Sequence, residues 1–230
     1  MGIVSWLKGK LKKTPVEKYP VPVVISPVSN GNPDINSDLI QIIDTVNNGK
    51  PSDPDWSYLV NACRVDIDKR KEVERAVSKQ AKSWSRYVAV FEATGVPADV
   101  VANAHFKECS GDFSKGLHCG DPWNKKTVNV PKGHGPFASW EAAAIHALGL
   151  KKAQFPKTWT TIEKLKFLQR YNGLGHQKKG LEYTPYIWAY TSHHDETGNY
   201  IADGKYSHTA VIKSPGVMAL MIVQDEQGLI

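Results

Sequence analysis

Between residues 68 and 94, apolar side chains recur every three or four positions: Val73, Val77, Ala81, Trp84, Val88 and Phe91, with charged residues between them. That period belongs to a helix with one face turned inward. Gly95 supplies a stop, and Pro97 then opens a second helix that runs to about Glu108. Two consecutive helices of this kind need further apolar faces to pack against. Those are expected in a helix over 36–47 (Leu39, Ile42, Ile43, Val46), a short helix after Pro54, one capped by Ser139, one over 161–171 and a last one within 207–225. A short strand is expected at 127–130, inside a Gly- and Pro-rich stretch over 111–136. The fold class is therefore α+β and mainly helical, with one or two short hairpins.

Composition fits one compact unit with an appendage. Of 230 residues, 41% are hydrophobic and 23% charged, which allows a buried core and argues against a fibre or a wholly disordered chain. Residues 1–33 read as a separate segment: a basic start, MGIVSWLKGKLKK, followed by a Pro-rich arm. Residues 34–230 form the expected domain. The first thirteen residues mix Ile3, Trp6, Leu7 and Leu11 with four lysines, a pattern suited to lying on an anionic membrane. They lack the order of a secretory signal. The expected location is inside the producing cell until release, or on a virion, with action at a bacterial wall.

The net charge of +6 directs the chain toward polyanions. The basic residues are not interleaved with aromatics as in a nucleic-acid module, so no nucleic-acid partner is expected. Cys63, Cys109 and Cys119 form no C-x-x-C pair and are expected to be reduced buried thiols, the alternative being that Cys109 and Cys119, ten positions apart, meet in a folded loop. His105, Glu108 and His118, or His193, His194 and Asp195, lack a recognised zinc spacing, and neither metal nor cofactor is expected. A monomer is expected.

The chemistry centres on Glu108. If Pro97 opens its helix, Val101, Ala104 and Glu108 share one face. That sets a carboxyl at the C-terminal end of a helix on its inward side. Burial and the negative helix end both favour the protonated form. A carboxyl protonated near neutral pH is what acid-assisted cleavage of a glycosidic bond requires. Asp121, in a Gly-Asp-Pro turn, and Thr127 would then rise on the opposite side of a cleft. Tyr171, Tyr186 and Trp188 follow as aromatic candidates for packing on sugar faces, and Asn172 offers an amide that matches an acetamido group.

Five stretches carry a resemblance. HFKECSGDF over 105–113, LHCGDP over 117–122 and TVNVPKG over 127–133 resemble the bacterial and phage lysozyme family of peptidoglycan hydrolases. YNGLG at 171–175 resembles the helix-end motif of lytic transglycosylases, and the stretch from Tyr183 to Tyr206 resembles an aromatic segment of the lysozyme family. The resemblance covers roughly residues 96–215. It departs at Cys109 and Cys119, where related sequences often carry Ser and Asn. It implies a lysozyme-like fold and cleavage of the bond between N-acetylmuramic acid and N-acetylglucosamine. It also implies Glu108 as general acid and sets Tyr171 and Asn172 beside the sugar at the scissile bond. From the expected cleft and the aromatic cluster, Asp121 is the candidate second catalytic carboxylate, and Thr127, Tyr186 and Trp188 are candidate substrate contacts. The expected partner is the glycan strand of peptidoglycan, and the expected activity that of an endolysin-like muramidase. The alternatives are a lytic transglycosylase giving anhydro products, and a non-catalytic wall-binding or virion structural module.

Overall fold

The computed structural model describes residues 55–176, 183–194, 197–202 and 205–230. The basic start, the Pro-rich arm and the helix expected over 36–47 lie outside these residues.

The described chain is mainly helical with one small sheet. In order it forms α1 (Trp56–Ala62), α2 (Arg70–Ala81), α3 (Trp84–Thr94), α4 (Ala98–Cys109), α5 (Trp140–Gly149), α6 (Thr161–Asn172), α7 (Pro185–Trp188), β1 (Thr197–Ala202), β2 (Lys205–Val211) and α8 (Val217–Glu226). None of these helices is long and apolar enough to cross a membrane.

Helix α4 occupies the middle. Val100, Val101, Ala102, Asn103, Ala104 and His105 are all buried. It touches α2, α3, α6 and α8, while α5 packs on α3. One core joins Tyr87, Val90, Val101, Trp140, Leu148, Phe167, Leu168, Ile187 and Val217. A second, smaller one joins Val73 and Val77 of α2 to Leu220 and Val223 of α8.

Polar groups inside this core are paired. Asn103 donates to Gln224 Oε1 (3.1 Å), Gln80 donates to Asn103 Oδ1 (3.1 Å), and Gln224 donates to Gln80 Oε1 (2.9 Å). This ring of amides locks α2, α4 and α8 together, because an unmade hydrogen bond here would carry its full desolvation cost. His105 is held by the Tyr87 hydroxyl at 2.9 Å, and burial drives its imidazole down to about 4. At the start of α4, Lys164 of α6 donates to buried Asp99 at 2.8 Å.

Several expectations are altered by what the backbone does. The single helix read over 68–94 is two helices, broken at Lys82 and Ser83. Lys82 closes α2 with bonds to the carbonyls of Ser78 and Gln80. The break resets the helical phase: Tyr87 and Val90 face inward, and Phe91 is exposed. The strand expected at 127–130 is a loop instead. The last helix, expected within 207–225, occupies only the later part of that stretch as Val217–Glu226, and residues up to Val211 pair with β1. That antiparallel pair sets Asn199 opposite Ser207 and Tyr200 opposite Tyr206. The expected caps hold at Ser139, whose hydroxyl accepts from Ala142 N–H, while Asp55 caps α1.

Gly216 fixes how α8 meets α7. A Cβ there would lie 2.5 Å from the Ile187 carbonyl oxygen, too close for any side chain. Its N–H donates to Ala189 O at 2.9 Å. This close approach holds α7, and with it Tyr186, against the core.

Candidate functional site

Helix α4 ends at Cys109, and Ser110 after it adopts a left-handed conformation at φ 56°. Glu108 therefore stands in the last turn, half-buried, on the face shared with buried Val101 and Ala104. Burial pushes its carboxyl above the ordinary value, and a hydrogen bond from Tyr186 and the charges of Lys107 and Lys151 oppose that shift. The partial negative charge of the helix end acts in the same direction as burial.

Four elements converge on this carboxyl. From α7, the Tyr186 hydroxyl donates to Glu108 Oε1 at 3.1 Å. From the end of α6, Tyr171 donates to Leu117 O at 2.7 Å, and its phenol is raised by burial first and then by the nearby Glu108 charge. The loop after α4 brings Cys119, whose thiol feels both Asp121 and Glu108. The turn after α5 brings Lys151, with its ammonium 5.6 Å from the centre of the Tyr171 ring. Lys107, beside Glu108, donates to Ser214 Oγ (3.3 Å) and Pro215 O (3.0 Å) ahead of α8. Desolvation pulls the Lys107 ammonium down to about 8, and the Glu108 carboxylate opposes that shift.

Beside this cluster lies a cleft of about 690 Å³. Tyr186, the partner of Glu108, forms part of its wall, together with Lys107, Asn172, Tyr200 and Lys213. The end of α6, helix α7 and the β-hairpin thus frame one opening.

The residues picked out by sequence fall into two groups. Tyr171, Asn172 and Tyr186 are brought to Glu108 or to the cleft. Asn172 is the last residue of α6, exposed, with Gly173 at φ 96° ending the helix behind it. Its side chain makes no hydrogen bond to the described residues, so the helix end is closed by the backbone: Gly173 N–H donates to Arg170 O.

The other three serve the scaffold. Asp121 Oδ2 accepts from Val128 N–H (2.8 Å), Asn129 N–H (2.9 Å) and the Cys119 thiol (3.2 Å), and its Oδ1 accepts from Asn129 Nδ2 (2.7 Å). These bonds, led by the one from Asn129, hold its carboxyl below the ordinary value. The carboxylate clasps its own loop. Thr127 donates to Pro131 O at 2.6 Å and accepts from His134 N–H at 3.1 Å, which occupies its hydroxyl within the same loop. Trp188 is 1% exposed and packs against Trp56 with ring centres 5.7 Å apart, so it presents no face to a sugar.

Sequence reasoning passed over Lys107, Lys151 and Lys213. A lysine at a helix end or in a loop reads as a solvated charge, and only the tertiary packing gathers these around one carboxyl and one cleft. The histidines also regroup. His118 bonds His146 at 2.9 Å and stacks on His134, away from His105. Among the described residues, no group of three or more His, Cys, Asp or Glu is placed to hold a metal ion. Cys63, Cys109 and Cys119 are free thiols. No protein-family model, curated protein or solved structure matches the chain.

Proposed function

We propose that this chain is a peptidoglycan-degrading glycosidase of the endolysin kind, with Glu108 as the general acid and a lysozyme-like fold. The observation that carries this reading is a carboxyl at the end of the central helix, desolvated, held by Tyr186 and beside a cleft. Burial there favours the protonated acid that glycosidic cleavage needs. The motifs at 105–113, 117–122, 127–133 and 171–175 add the substrate class by resemblance.

In this mechanism Glu108 delivers its proton to the bridging oxygen as the C1–O bond breaks. The electron pair of that bond leaves with the oxygen, and positive charge develops on the muramyl ring. Tyr186 orients the carboxyl, and Asn172 receives the acetamido group of a neighbouring sugar. A hydroxyl then attacks C1 and gives its proton back to Glu108.

A specific observation favours the transglycosylase form of this chemistry. Hydrolysis by paired carboxylates needs a second one facing the first. Among the described residues, the charges that act on Glu108 come from Lys107 and Lys151, and Asp121 spends both oxygens on its own loop. One carboxyl suffices when the 6-hydroxyl of the muramyl unit itself attacks C1.

Mass spectrometry of fragments released from purified peptidoglycan tests both readings. Muropeptides with anhydro ends support transglycosylation, and those with reducing ends support hydrolysis. Binding to peptidoglycan without release of any fragment contradicts enzymatic function and leaves a wall-binding module.

A further inference from the structure

The cleft beside Glu108 has a one-sided charge. Among the described residues, two lysines, Lys107 and Lys213, stand in its wall, and no aspartate or glutamate does. They flank Ser214, whose hydroxyl accepts from Lys107 Nζ at 3.3 Å. Lys213 is exposed and forms no ion pair with a described residue. Lys107 donates to two neutral oxygens, and no carboxylate of the described residues is bonded to it. Across the opening stand Asn199 and Tyr200 of β1, and His176, which is 5% exposed and has an Nε2 without a hydrogen-bond partner. Two like charges beside one cleft repel each other and attract an anion.

We propose that this part of the cleft is a subsite for a carboxylate carried on the substrate, received between Lys107 and Lys213 with Ser214 between them. This rests on the peptidoglycan reading, under which the carboxylate belongs to the peptide attached to muramic acid. Tyr186 fixes the relation to the chemistry, since it bonds Glu108 and lines the same cleft. A strand whose peptide lies along the lysines is thereby set in register with its glycosidic bond near the acid. Neutral oligosaccharides of N-acetylglucosamine lack that handle. The subsite thus selects a charged, peptide-bearing glycan over chitin-like chains.

The test uses the full chain carrying Glu108→Gln and measures dissociation constants by calorimetry. The probes are a disaccharide-peptide muropeptide with free carboxylates and the same muropeptide with those carboxylates converted to amides. The carboxylated probe is expected to bind about five- to tenfold more tightly at low salt, the scale of one or two partly exposed ion pairs. That gap shrinks as ionic strength rises. Adding Lys213→Glu abolishes it, whereas Lys213→Arg retains it. Because Lys213 is exposed, thermal melting should confirm that both variants fold. Equal affinities for the two probes, or a gap indifferent to Lys213→Glu, overturn the subsite. If Glu108→Gln still digests peptidoglycan while the gap persists, the catalytic assignment fails and the subsite stands.

Discussion

The hydroxyl of Tyr186 donates to Glu108 Oε1 across 3.1 Å, tying α7 to the last turn of α4. Tyr186 is 7% exposed, and its own phenol is driven far up by burial and by the neighbouring carboxylate, so it stays a donor at any working pH. A donor to a carboxylate stabilises the charged form. Its bond therefore restrains the loss of Glu108 acidity that burial causes.

Removing that donor gives the first prediction. In Tyr186→Phe the Glu108 carboxyl becomes still harder to ionise. A general acid works while protonated, so the alkaline limb of kcat/KM should move to higher pH. The pH–rate profile of the variant on soluble peptidoglycan fragments checks this. An alkaline limb that stays in place or moves to lower pH would show that Tyr186 does not act on Glu108.

Asp121 sets up a second prediction, because its carboxylate accepts four hydrogen bonds, all within residues 119–129. Asp121→Asn replaces an acceptor with a group that is half donor. The loop should loosen, the melting temperature should fall, and the pH profile of the remaining activity should keep its shape. A loss of rate at unchanged melting temperature would return Asp121 to the chemistry as a partner of Glu108.

For Asn172 the two roles separate by readout. Its amide is exposed and is not the group that closes α6. Asn172→Ala should therefore leave thermal melting almost unchanged and raise KM for glycan strands. A drop in melting temperature with normal KM would make Asn172 a helix-end residue only.

Asn103 carries a prediction about the core. It is fully buried and links Gln80 to Gln224. Asn103→Ala leaves the amides of both partners short of bonds where water does not reach. The expected cost is at least about 2 kcal/mol, since each orphaned buried group costs roughly 1–3 kcal/mol. Urea denaturation measures it. A loss below about 0.5 kcal/mol would mean that the three amides repair the gap by rearranging.

How much of this was legible beforehand depended on whether the signal was local. Helix α4 could be read from Pro97 and from the spacing of Val101, Ala104 and Glu108, because proline and a 3.6-residue period act within one element. The cap at Ser139 was equally local. The break between Ala81 and Trp84 was not legible, since helix-forming residues run straight through it. The β-hairpin was hidden by residues 207–211, which suit a strand as well as a helix. The Asp203-Gly204 pair between the two strands was the available hint. At the site, Glu108, Tyr171, Asn172 and Tyr186 were visible as types in order. The loop role of Asp121 and the burial of Trp188 come from partners distant in the fold or in the same irregular loop, which no periodicity reports. The lysines around Glu108 escaped for the same reason.

The central claim is that Glu108 supplies the proton, and Glu108→Gln tests it by pairing a rate with a stability. Burial raises the carboxyl above its unfolded value, so its contribution to stability is present below about pH 4.5 and is lost as pH rises through the folded value. Glutamine never ionises. The variant should thus melt at or above the parent temperature at pH 7, and that advantage should vanish below pH 4.5. On purified peptidoglycan the same folded variant should lose at least about a hundredfold in rate, the lower end for removing a general acid. A folded Glu108→Gln protein that releases muropeptides at the parent rate would contradict the account.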